Sequence, residues 1–253
     1  MIAREAMPGS AGKQACLVVG AGDDTGAAIG RAFAREGMVA CLVRRARHAD
    51  ALEALARSIR DEGHEALALP ADARDEEEMV ALVERIETDI APIEVAVFNI
   101  GANVQFPIAE TTARVYRKVW EMACFAGFLM GREAAKRMLG RGHGTIIFTG
   151  ATASIRGREN LAAFAGAKHA LRALAQSMAR ELGPKNIHVA HTVIDGAIDS
   201  KFIRELYPNV DALREEDAIL CPEHIAQAYV TLHKQPRTAW TQELDLRPWK
   251  EQW

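Results

Sequence analysis

Ala15-Cys16-Leu17-Val18-Val19-Gly20-Ala21-Gly22-Asp23-Asp24-Thr25-Gly26-Ala27-Ala28-Ile29 passes from an unbroken apolar run into a glycine-rich turn, and helical sequence through Phe33-Ala34-Arg35-Glu36-Gly37 follows. A short apolar run without alternation reads as a strand buried on both faces. Glycines between such a strand and a helix bring backbone amides and the positive helix end within reach of a pyrophosphate. Gly20, Gly22 and Gly26 therefore read as the phosphate turn of a dinucleotide site. The same glycines also suit any tight strand-to-helix turn, so the surrounding pattern has to decide.

That pattern is an alternation of strands and helices. Further apolar runs occupy 39–43, 66–69, 95–98, 145–148 and 189–194. Between them Leu52, Leu55, Ala56 and Ile59, then Met79, Leu82, Val83 and Ile86, recur at helical spacing with charges on the opposite faces. Strands alternating with helices predict a doubly wound, Rossmann-like parallel sheet in a three-layer α/β/α sandwich. Gly37, Gly63 and Gly183 stand where helices should stop. The least periodic stretch, about 199–221, contains Tyr207, Pro208 and Asn209 and is expected to be a lid over a substrate pocket.

The second strand ends in Arg44-Arg45. A carboxylate there would accept from the hydroxyls of an adenosine ribose, whereas guanidinium groups pair in bidentate fashion with a 2′-phosphate. NADP is expected over NAD, although two solvated surface arginines would look the same in sequence. Asp24 opposes the arrangement, because a carboxylate in the phosphate turn repels a diphosphate unless it points to solvent or caps the helix.

Whole-chain properties narrow the function. A length of 253 residues suits one domain with a sizeable core, spanning 1–253. The net charge of −3, with 49% hydrophobic and 26% charged residues, gives no bulk attraction to nucleic acid. Neither the first dozen residues nor any later run reads as a leader or membrane span, so we expect a cytoplasmic protein acting on a small molecule, with neither membrane nor nucleic acid as partner. Cys16, Cys41, Cys124 and Cys221 lack paired metal-ligand spacing and read as reduced thiols; no metal is expected.

With these residues in hand, the chain resembles the short-chain dehydrogenase/reductase family from about Lys13 to Leu246. The family's three turn glycines fall at Gly20, Asp24 and Gly26, so the middle one is replaced. The resemblance implies that Asp72, with Ala73, contacts adenine, and that Asn99-Ile100-Gly101-Ala102 is the turn after the fourth strand. It also implies that Gly196, Ile198 and Ser200 lie along the cofactor, in a turn where Asp195 stands in place of proline.

The same resemblance exposes a gap in the chemistry. Family members use a tyrosine four residues before a lysine as proton donor, a serine to orient the carbonyl and an asparagine to hold a water relay. Here those positions carry Phe164, Ala151 and Cys124, and only Lys168 remains, as the retained catalytic residue and a ligand of the nicotinamide ribose. Phenylalanine cannot donate a proton, and alanine cannot hydrogen-bond an oxyanion. Thr149, Thr152, Asn103 and Gln105 are the nearby polar candidates for proton transfer, with His169, His191 and Tyr207 behind them.

Three readings follow: an NADP-dependent oxidoreductase with an atypical site, a non-catalytic NADP-binding or partner-binding protein, and a lyase or isomerase using the cofactor as scaffold. Finally, the helices expected over 111–139 and 160–182 carry Ala123, Gly127, Gly131, Ala163, Ala167, Ala170 and Leu174, read as an exposed stripe. Such helices predict a homo-oligomer, a dimer or tetramer.

Overall fold

Seven parallel strands run in the order β3-β2-β1-β4-β5-β6-β7 in the computed structural model, which describes residues 12–22, 24–206 and 209–251. They are β1 (Ala15–Val19), β2 (Val39–Arg44), β3 (Ala66–Pro70), β4 (Ile93–Phe98), β5 (Gly144–Thr149), β6 (Ile187–Ile194) and β7 (Glu243–Leu246). Every residue of β1, β5 and β6 is buried, as expected of strands covered on both faces. In register, Leu17 of β1 lies between Cys41 of β2 and Ala96 of β4. The order reverses beside β1, and the crevice beyond the carboxyl ends of β1 and β4 is where such a sheet binds ligands.

The α-helices among the described residues are α1 (Thr25–Arg35), α2 (Ala49–Asp61), α3 (Glu76–Asp89), α4 (Ala113–Trp120), α5 (Ala126–Arg141), α6 (Ala162–Leu182), α7 (Lys201–Leu206), α8 (Val210–Glu215) and α9 (Pro222–His233). One apolar core lies on the sheet face covered by α3, α5 and α6 and is built around Leu17, Phe98, Met130 and Phe148. A second, around Val18, Phe33, Leu42 and Tyr229, lies under α1, α2 and α9. Full burial of one such side chain is worth about 1.5–3 kcal/mol.

Several expectations need correction. The helix anticipated over 111–139 is interrupted by a π-helical segment, Glu121–Phe125, between α4 and α5. Its wider turn puts Ala123 and Cys124 inward while Trp120 and Phe125 stack on the outer side at 5.8 Å. The small residues read as an exposed stripe are mostly internal: Ala123, Gly127, Gly131, Ala163 and Ala167 are buried in their own chain. A Cβ on Gly127 would lie 2.7 Å from Leu171, and one on Gly131 would lie 2.9 Å from Phe148. Tyr116, Trp120, Phe128 and Leu139 are exposed apolar residues of α4 and α5. The stretch 199–221 holds α7 and α8; Tyr207 and Pro208 lie outside the described residues. Among the described residues no helix is long and apolar enough to cross a membrane.

Candidate active site

Strand ends and helix starts meet at the carboxyl edge of the sheet. The turn after β1 is forced to be glycine at two places: Gly20 has φ +97°, and a Cβ there would stand 2.7 Å from the Asn99 carbonyl oxygen. A Cβ on Gly26 would stand 2.4 Å from the Gly20 carbonyl oxygen, which fixes the start of α1 tightly against the turn. Gly22, by contrast, faces open space, leaving room for a diphosphate beside backbone amides. The residues present thus fit a nicotinamide dinucleotide.

Two adjoining cavities form one trough along this edge. The first, about 590 Å³, runs from Gly20, Gly22 and Gly26 past Arg44, Asn99 and Gly101 to Ala151, Phe164 and Lys168, and is closed by Gly196, Ile198 and Ser200. The second, about 260 Å³, continues from Gly20, Gly22 and Gly101 to Arg45, Asp72, Ala73 and Arg74. Every cofactor and catalytic residue expected from sequence lines one of the two.

At the narrower end Asp72 is held by Arg74, whose Nε and Nη2 donate to its two carboxylate oxygens at 2.9 and 2.5 Å. That pairing, with a backbone bond from Arg74, holds the carboxyl below its usual range. Burial and then the charges of Arg47 and Arg74 lower the Arg45 guanidinium, while Asp72 works the other way. Guanidinium groups crowded on one wall raise the positive potential there. Sequence reasoning missed Arg74, although its spacing two residues after Asp72 was the available signal. Asn99 donates from Nδ2 to the Gly20 carbonyl oxygen at 3.2 Å, joining the turns after β1 and β4.

At the wider end Lys168 is 2% exposed. Its Nζ donates to the carbonyl oxygens of Ile100 at 3.0 Å and Thr149 at 2.8 Å, and burial brings the amine down to about 7. The Phe164 ring lies one turn earlier on α6, with its centroid 5.9 Å from Nζ. Phe164, Ala163, Ala153 and Cys124 belong to one apolar cluster, and burial pushes the Cys124 thiol up.

Most of the polar residues proposed near this end are engaged in structure. The Thr149 hydroxyl pairs with the Tyr229 hydroxyl at 2.9 Å, and Thr152 donates to Asp195 at 2.7 Å. His169 is exposed and its Nδ1 bonds the Ala165 carbonyl. His191 is fully buried, with Nδ1 3.1 Å from Glu243, which also takes two bonds from Arg172 at 2.6 Å. Burial brings His191 down to about 4, so its ring is neutral and Nδ1–H donates. Asn103 lines the first cavity, and Gln105 is exposed.

The segment after β6 is anchored by carboxylates. Asp195, 1% exposed, accepts from Thr152 and Arg156, with Arg247 3.6 Å away. Gly196 has φ +149°, and a Cβ there would meet Pro248 at 2.8 Å. Asp199 takes bonds from Arg204 and Arg214, which tie α7 and α8 to the strand end. Asp24 caps α7 instead of α1: its side chain makes no bond to α1 and accepts from the Lys201 amide at 3.2 Å. Ser200 Oγ accepts from the Ile203 amide at 3.3 Å.

Residues 14–211 match the family model described as short chain dehydrogenase. A cis-4-hydroxycyclohexanecarboxylate dehydrogenase from Sinomonas cyclohexanicum is 29% identical over 225 residues, 87% of this chain and 89% of that protein. Versicolorin reductase 1 from Aspergillus parasiticus is 30% identical over 210 residues, 81% of this chain and 79% of that one. The crystal structure of a short-chain dehydrogenase from Rhodopseudomonas palustris is 47% identical, covers 93% of this chain and 99% of its own, and superposes with a TM-score of 0.80. With its seven-stranded parallel sheet and dinucleotide-shaped trough, the chain belongs to the short-chain dehydrogenase family and is an oxidoreductase.

Proposed function

We propose that this protein is an NADP-dependent oxidoreductase of a small organic molecule in the cytoplasm, with an active site that departs from the family's pattern. The observation that carries the cofactor choice is the wall of Arg44, Arg45 and Arg74 at the narrow end of the trough. Asp72, the carboxylate on that wall, is already paired with Arg74, which leaves positive charge for a 2′-phosphate.

The glycine turn holds the diphosphate, and Gly196, Ile198 and Ser200 lie along the nicotinamide half, with Lys168 beside them in the same cavity. When bound, the cofactor supplies a hydride. Phe164, Ala151 and Cys124 stand where the family has tyrosine, serine and asparagine, which removes the usual acid and oxyanion donor. Each of those groups ordinarily contributes about a hundred- to ten-thousandfold. The site therefore favours substrates whose reduction needs little acid help, such as quinones, polarised alkenes and iminium ions, held close to the hydride source. The exposed Tyr116, Trp120 and Phe128 on α4 and α5 offer an apolar face for a homo-oligomer.

The test is a fluorescence titration with NADPH and NADH, repeated on Arg44→Asp. We expect NADPH to bind the wild type at least tenfold more tightly than NADH, and the substitution to erase or reverse that ratio. Failure of both cofactors to bind refutes the proposal.

A further inference from the structure

The trough has at its centre an amine that no carboxylate among the described residues pairs with. An ammonium has three N–H bonds. Two of those of Lys168 go to the Ile100 and Thr149 carbonyl oxygens, and the residue lines the 590 Å³ cavity beside Ala151 and Phe164. We infer that Lys168 is itself the proton donor to the substrate oxygen, taking the part that a tyrosine plays elsewhere in the family. This rests on the oxidoreductase reading above and adds the residue that makes carbonyl reduction possible at this site.

The geometry suits both sides of the transfer. Before it, the third N–H has no acceptor among the described residues and the Phe164 ring lies 5.9 Å away, an apolar neighbour that offers no competing proton. After it, the neutral amine keeps two N–H bonds, and the Ile100 and Thr149 carbonyls satisfy both, so the product state leaves no donor stranded. In the reduction a hydride forms the C–H bond, the carbonyl π pair moves to oxygen, the Nζ–H bond breaks and an O–H bond forms. Reduced nicotinamide is the hydride source, and solvent protons restore the ammonium.

The titratable groups that face Nζ are Cys124 from the π segment and His191 from β6. Burial keeps the first protonated and the second neutral, so neither fixes a charge on the lysine. The Tyr116 phenol is directed elsewhere: a Cβ on Gly166 would meet its hydroxyl at 2.8 Å, and it does not line the cavity. An amine brought to about 7 by burial is matched to acid catalysis at neutral pH.

Two probes separate acid catalysis from a structural role. Hydride addition to 2,3-butanedione makes a strongly basic alkoxide that requires a proton, whereas addition to 9,10-phenanthrenequinone makes a weakly basic phenolate that does not. NADPH oxidation by each probe is followed from pH 5.5 to 9 in the wild type and in Lys168→Arg, which keeps a cation but cannot release its proton in this range. NADPH affinity is measured in parallel by fluorescence, and the titration of Lys168 in the ligand-free protein is read by competitive acetic anhydride labelling with mass spectrometry.

We expect wild-type diketone reduction to fall about tenfold per pH unit above about 7, and to drop by roughly a hundredfold or more in Lys168→Arg. Quinone reduction, compared at saturating NADPH because Lys168 also lines the cofactor trough, should fall far less than diketone reduction, and labelling should report a midpoint near 7. A pH-independent diketone rate, an equal loss with both probes, or an ordinary lysine midpoint overturns the inference while leaving the oxidoreductase reading intact. Turnover of neither probe with NADPH bound overturns both. Absence of NADPH binding overturns the cofactor assignment on which both stand.

Discussion

Replacing Lys168 by methionine should change the pH dependence of stability, in a direction set by the lysine's burial. Burial lowers its amine from 10.5 to about 7. At about 1.4 kcal/mol per unit, that drop corresponds to roughly 5 kcal/mol of stability gained by the wild type as it is deprotonated. Below pH 7 the folded and unfolded chains both carry the proton, and the full cost of burying a charge is present. Between 7 and 10.5 the unfolded chain binds more protons than the folded one, so wild-type stability rises with pH relative to the variant. Above 10.5 both are neutral and the cost is gone. The variant also strands the Ile100 and Thr149 carbonyl oxygens, a loss of about 1–3 kcal/mol each that does not vary with pH. Denaturant unfolding of both proteins at each pH from 6 to 10 isolates the lysine, because all other groups cancel in the difference. A difference that stays constant across that range would falsify the claim that Lys168 is charged at a cost.

Two further outcomes test the cradle. Asp24→Gly removes a carboxylate from the phosphate turn and the acceptor of the Lys201 amide; NADPH affinity should rise roughly tenfold, about 1.4 kcal/mol, while trypsin cleaves the ligand-free protein faster at Lys201 and Arg204. Weaker NADPH binding in this variant would show that the carboxylate assists the ligand. Gly26→Ala forces a Cβ to within 2.4 Å of the Gly20 carbonyl oxygen, and since backbone there cannot yield, unfolding free energy should fall by about 1–3 kcal/mol and NADPH binding should be lost in titration. Unchanged binding would place the diphosphate elsewhere.

Much of the fold was legible because the signals that specify it are local. Six apolar runs sufficient to fill both faces of a sheet marked six of the seven strands, the first with its exact bounds and the others within two residues at each end. β7 escaped because Glu243 and Asp245 give it no apolar run: at the sheet edge, Glu243 is committed to Arg172 and His191 across more than fifty residues of chain. The same reason explains the site. Gly20, Gly26 and Arg44 were readable from turn chemistry beside their own strands, whereas the clamp of Asp199 on Arg214, the Asp24 bond to Lys201 and the burial of Lys168 exist only once distant segments meet. The small residues of α5 and α6 carried a true packing signal with the wrong partner, since helix periodicity does not say whether a close neighbour is the chain's own sheet or a second copy.

Asp195 shows how the wall opposite the glycine turn is kept in place where the resemblance puts a proline. A proline ring would fix the turn locally by restricting φ. Here the turn is fixed from outside: the buried carboxylate draws Thr152 and Arg156 from the end of β5 and stands near Arg247 after β7, while Pro248 presses on Gly196 so closely that no side chain fits. A carboxylate with 1% exposure is tolerable only because these cationic and hydroxyl partners surround it. The arrangement makes this wall depend on β7 and the segment that follows it, so a change at Arg247 or Pro248 reaches the cavity through Asp195 and Gly196 while leaving the glycine turn after β1 in place. In physical terms the two walls of the trough are set differently: one by backbone sterics at Gly20 and Gly26, the other by ion pairs formed over long stretches of chain, with the Asp24 bond to the Lys201 amide joining them. Because Asp195 is 1% exposed, salt screens its pairs far less than it would surface pairs.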